Sequence, residues 1–104
     1  MTKATIHVGQ CGFVTTVEAV TEGRRSVILA IHSGCDAVRK LAEELKQVDP
    51  YREMAFRGEG PRTLELARRY LKHSACPVPV GIIKSVELAS GMGLPVDVVI
   101  NLER

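Results

Sequence analysis

Apolar and polar positions alternate along the first third of the chain and recur at helical spacing along most of the rest. Ala4–Val8 has period two, with Ile6 and Val8 on one face and Thr5 and His7 on the other. Phe13–Val20 puts Phe13, Thr15, Val17 and Ala19 together, opposite Thr16 and Glu18. Ser26–His32 is nearly continuous in apolar residues and predicts a central strand covered on both faces. Gly9 and Gly12 bracket a turn or bulge. Thr21-Glu22-Gly23-Arg24 reads as a turn, so the second and third strands form a hairpin.

The period changes after His32. Ser33 as N-cap with Asp36 three residues on predicts a capping box, and Val38, Leu41, Ala42, Leu45 and Val48 continue at helical spacing to Asp49-Pro50. Residues 51–60 are the least regular stretch, expected to be pinned by Tyr51, Met54 and Phe56. Gly58-Glu59-Gly60-Pro61 reads as a joint, with Pro61 first in a second helix carrying Leu64, Ala67, Tyr70 and Leu71 on one side. Cys76-Pro77-Val78-Pro79 leads into a third helix whose buried face is read as Val80, Ile83, Val86 and Ala89, ending near Gly91. Val96–Leu102 reads as a last strand. The order β-β-β-α-α-α-β predicts one α+β domain over residues 1–104, with helices on one face of a small, mostly antiparallel sheet.

Composition narrows the function classes. The chain has 104 residues, 45% hydrophobic and 25% charged, the balance of an ordinary globular domain. Aromatics are 4% with no Trp, and the net charge is only +2, so no nucleic-acid partner is expected. Arg24-Arg25 and Arg68-Arg69 read as a solvated turn and a solvated helix face. No apolar stretch approaches the roughly 20 residues that cross a bilayer, so no membrane is expected. Met1-Thr2-Lys3 runs straight into a strand without a signal-like apolar region. With an odd number of cysteines, this suggests a cytoplasmic protein with reduced thiols.

The candidate chemistry lies in those cysteines. Cys11, Cys35 and Cys76 each stand at a break between elements, among small residues and turn formers. Cys35 and Cys76 are expected in first helical turns, where free N–H groups and the helix dipole favour a thiolate. Asp36 opposes this beside Cys35, which makes Cys76 the better candidate. If the first and third strands run the same way, Cys11 and Cys35 leave the sheet at one edge, and the third helix must begin near it. Three converging thiolates suit zinc, with His32 as fourth ligand, or an iron–sulfur cluster. The spacings of 24 and 41 residues match no zinc ribbon. Filling the core as small hydrophobes is the bland reading of the same three residues.

Cys76-Pro77-Val78-Pro79 and the apolar helix after it resemble the Cys-Pro-x-Pro helix start of the TusA/SirA-like sulfur-carrier family. The likeness covers residues 74–103. It implies a persulfide-bearing Cys76, with prolines that stiffen its approach. In that family the motif stands near the N-terminus, so the match requires a permuted order of elements. Outside this stretch the chain reads as a small three-cysteine family of its own.

Three functions follow from these residues. The first is a metal- or cluster-binding protein using Cys11, Cys35 and Cys76. The second is a sulfur carrier using Cys76. The third is an interaction module with structural cysteines, contacting a protein partner through Tyr51–Phe56. An edge strand and residues 51–60 leave room for a homodimer. No Ser/His/Asp set, phosphate loop or dinucleotide fingerprint is present, which disfavours a stand-alone enzyme.

Overall fold

A computed structural model describes residues 1–104. Strands β1 (Thr2–His7), β2 (Val14–Thr21) and β3 (Val27–Ser33) form an antiparallel meander, extended by a short β4 (Gln47–Val48). Helices α1 (Asp36–Glu44), α2 (Pro50–Glu53), α3 (Arg62–Tyr70) and α4 (Val78–Ala89) complete the chain. This is the expected α+β class, with helices packed on the sheet.

The sheet register follows the period-two pattern. Ala4 pairs with Val17, Ile6 with Thr15, and Thr15 in turn with Ser33. Thr15, Val17, Ala19, Val27 and Leu29 are buried on the inner face, together with Val38 and Leu41 of α1 and Val78, Ile82 and Val86 of α4. The outer face stays open: Lys3, Thr5, His7, Ala30 and His32 are exposed, and Val14 and Val20 are each 45% exposed. β3 is therefore covered on one face only. A meander with every helix on the inner side leaves nothing to cover the other.

Local chemistry moves several element boundaries. Ser33 belongs to β3, where its hydroxyl accepts from Thr15 Oγ1 at 2.9 Å and from the Cys35 N–H at 3.1 Å. The N-cap of α1 is Cys35, and no side chain caps it. That helix stops at Glu44, because the Leu29 N–H takes the Lys46 carbonyl and draws Gln47 and Val48 into the sheet beside β3. Asp49 caps α2 instead of ending α1, with its Oδ1 accepting the Tyr51 N–H at 2.9 Å.

Residues 51–60 are held by polar contacts. Phe56 is 89% exposed and Tyr51 is exposed, while the Glu53 carboxylate is buried. Glu53 Oε2 accepts the Arg62 N–H and Oε1 accepts the Thr63 N–H, each at 2.8 Å; Oε1 also takes the Thr63 hydroxyl. Pro61 occupies the N-cap position of α3 and offers no side-chain acceptor, so Glu53 caps that helix from outside it. In α3, Thr63 and Leu66 are the buried residues, and Ala67, Tyr70 and Leu71 pack against the core.

In α4 the buried residues are Val78, Pro79, Ile82, Ser85 and Val86, and Val80 is half exposed. The expected face was thus displaced at Val80 and Ile83 and correct at Val86. The helix ends in a Schellman motif: the Gly91 N–H bonds the Leu88 carbonyl and the Met92 N–H bonds the Glu87 carbonyl. Gly91 takes φ +78°, which a side chain would resist. Beyond it, Val96–Leu102 forms no strand and stands exposed. Its residues favour extended structure, but a strand also requires a neighbour.

A candidate thiol site at one end of the sheet

β1 and β3 flank β2 and both run antiparallel to it, so they point the same way. Both therefore leave the sheet at one end. β1 feeds the turn Gly9-Gln10-Cys11-Gly12, closed by a Gly12 N–H to Gly9 carbonyl bond of 2.8 Å. Gly9 and Gly12 have φ of +93° and +76°, so this tight turn depends on glycine at both positions. β3 feeds Gly34 and Cys35. The two turns touch: a Cβ on Gly34 would lie 3.0 Å from the Phe13 ring.

α4 starts at the same end. A Cβ on Gly81 would run into Ile6 Cδ1, so the first turns of α4 rest directly on the last part of β1. The other end of α4 lies near Thr21 and Ser26, where Ala89–Met92 share a surface depression with them. Twelve helical residues extend about 18 Å, and a six-residue strand about 20 Å. The helix thus traverses the sheet lengthwise and brings Cys76, two residues before its start, to the end that carries Cys11 and Cys35.

The three thiols are free and differ in exposure. Cys11 is exposed, while Cys35 and Cys76 are half-buried against the hydrophobic core. Cys76 lies just outside the helix, whose N-cap is Pro77, and its N–H bonds the His73 carbonyl at 3.3 Å. No three His, Cys, Asp or Glu side chains are spaced to hold a metal ion in this conformation. His32 and His7 project from the outer face of the sheet. His32 Nε2 stands 4.0 Å from Glu18 Oε1, and its side chain is 69% exposed. That position separates it from α4 and Cys76, which lie on the inner side. His73 is exposed in the loop before Cys76.

One residue at this end escaped notice in the sequence. Arg39 reaches back from α1, donating from Nε to the Ser33 carbonyl and from Nη2 to the Gly34 carbonyl, both at 3.0 Å. It clamps the turn that presents Cys35 and brings a guanidinium to the site. Its place four residues after Cys35, one helical turn on, is the signal that would have found it.

A family described as a family of unknown function (DUF6951) matches residues 2–102. The chain belongs to DUF6951. No curated protein and no solved structure matches the chain. The DUF6951 match runs from β1 through the segment after α4, so it takes in all three cysteines, the Arg39 clamp and the exposed residues 96–102. No helix is long and apolar enough to cross a membrane.

Proposed function

We propose that this protein binds a soft metal ion or an iron–sulfur cluster through Cys11, Cys35 and Cys76, which stand toward one end of the sheet. The observation that carries this reading is topological. β1 and β3 leave the sheet at one end, and the Gly81–Ile6 contact seats the start of α4 on β1 toward that end. Thiolates are the ligands that zinc and iron–sulfur clusters favour. Cys35 and Cys76 are half-buried and Cys11 is exposed on its glycine-flanked turn, so metal binding would draw the three thiols closer than they stand here. His32 is not included, because it faces the opposite side of the sheet.

The test is metal and acid-labile sulfide content with an absorption spectrum, on untagged protein purified without oxygen. The expected result is stoichiometric metal, lost in each of Cys11→Ser, Cys35→Ser and Cys76→Ser. Sulfide distinguishes a cluster from zinc. Metal that persists in any one of the three variants, or no metal bound on titration with zinc or ferrous iron and sulfide, overturns the shared site.

A second reading rests on Cys76 alone. Cys-Pro-x-Pro opens a helix here, as the sulfur-carrier likeness implies, and the thiol stands outside the first turn. The strand expected after that helix is missing, which weakens the likeness. A persulfide on Cys76, found by mass spectrometry and unaffected by Ser at positions 11 and 35, would favour this reading over the first.

A further inference from the structure

The segment after α4 carries an unusual concentration of exposed apolar surface. Of the 14 large hydrophobic residues that are exposed, six lie between Leu94 and Leu102. Val96, Val99, Ile100 and Leu102 are each at least 70% exposed. The one backbone hydrogen bond in this segment joins the Val96 N–H to the Leu94 carbonyl. Its residues nevertheless have the composition and period of a strand: Val96, Val98, Ile100 and Leu102 alternate with Asp97, Val99, Asn101 and Glu103.

The sheet has a matching vacancy. β1 pairs with β2 on one side and with nothing on the other, so its outer edge is open from Thr2 to His7. An open edge is a template for another strand, and here Lys3 is its only charged residue. The six residues of β1 extend about 20 Å, and Val96–Leu102 extended covers about 24 Å.

Face and charge agree as well. On β1, Thr2, Ala4 and Ile6 line the half-buried inner face, and Lys3, Thr5 and His7 the outer one. A strand pairing there in either direction can place Val96, Val98, Ile100 and Leu102 beside Ala4 and Ile6, extending the apolar inner face. The same register places Asp97 on the outer face that carries Lys3, so opposite charges share that face. A slip of one residue would expose the four apolar side chains and lose the charge match.

We propose that residues 95–102 of one copy pair as a fifth strand along the open β1 edge of a second copy, and reciprocally, in a two-fold dimer. Each chain carries one unpaired strand and one unpaired edge. Within the single chain they remain apart, and reciprocal exchange pairs both and closes the assembly at two copies. The inference is independent of the thiol site.

The test compares the 104-residue chain with Val98→Asp/Ile100→Asp by sedimentation and light scattering, in reducing buffer, so that disulfide-linked pairs do not count. Both substituted positions are exposed, so the fold survives the change, which circular dichroism verifies. The expected result is a dimer for the parent chain. Hydrogen exchange should show protected amides in both Thr2–His7 and Val96–Leu102. The double variant should dissociate about a hundredfold more readily. A parent chain that stays monomeric overturns the proposal, even if exchange shows the segment protected, because it would then be docked on its own β1. A dimer equally stable in the double variant overturns it too.

Discussion

Two segments of this protein reverse the usual rule of burial. Around Glu53, a charged stretch rich in Arg and Glu lies folded against the body, with its carboxylate wholly enclosed. At Leu94–Leu102, a run of branched apolar side chains stands in solvent. The difference lies in partners. Glu53 meets the free N–H groups at the start of α3, which need an acceptor and have none from Pro61. The apolar run meets no neighbouring strand. A polar group with all its bonds made can be buried, and an apolar strand without an edge to join stays out.

The sharpest way to break this contrast is to remove the carboxylate. Glu53→Ala leaves two backbone donors and a hydroxyl unpaired at the α3 start, and should cost about 3 kcal/mol. In a domain of this size that lowers Tm by more than about 10 °C. A loss below about 1 kcal/mol in urea unfolding would show that water replaces Glu53 easily.

The next largest effect concerns the seat of α4. Gly81→Ala drives a methyl into Ile6 and should cost about 2 kcal/mol. Because the clash is with that one side chain, Gly81→Ala with Ile6→Ala should be less destabilised than the sum of the single changes. If the two changes simply add, the close approach of α4 to β1 is not what limits the packing.

On the apolar side, Val98→Asp/Ile100→Asp should alter the stability of the isolated fold by no more than about 0.5 kcal/mol, since these side chains contact no core. A substantial loss in the monomer would mean that the segment docks within its own chain.

The smallest effect is a pH dependence. Partial burial pushes the Asp49 carboxyl up, but the Arg25 hydrogen bond and charge, with the N–H groups of Tyr51 and Arg52, outweigh it and hold the carboxyl below its ordinary 3.8. A depressed carboxyl stabilises the fold above its unfolded value, and that contribution disappears as the pH falls through the lower folded value. Arg25→Ala should therefore flatten the acid limb of the stability curve below about pH 4. Because the Arg25–Asp49 pair is exposed, the change at neutral pH should be slight.

How legible each region was depends on the reach of its signals. β1 and β2 follow from alternation within six to eight residues, β3 from its nearly continuous apolar run, and the α4 stop from Gly91. The shared exit of Cys11 and Cys35 was conditional on strand direction, which the meander supplies. Glu53 was invisible because its partners lie nine and ten residues away, beyond any local pattern. Val96–Leu102 misled for the opposite reason. Its propensity is local and strong, whereas pairing depends on an edge elsewhere in the chain. The inner-face residues of α4 were misplaced because the helix is apolar on more than one side, which blurs its period.

The meander has a further consequence for the order of assembly. β1, β2, β3, α1 and β4 join neighbours in the sequence, and such low-contact-order pairings form with little loop-closure penalty. α4 must instead return from the far side of α3 to lie on β1 and β2, the two strands made first. A chain emerging from the ribosome can thus place Cys11 and Cys35 at one end of the sheet while Cys76 is still unsynthesised. Cys76 reaches that end of the sheet only once the last helix has docked, so any use of all three thiols there must wait for completed folding.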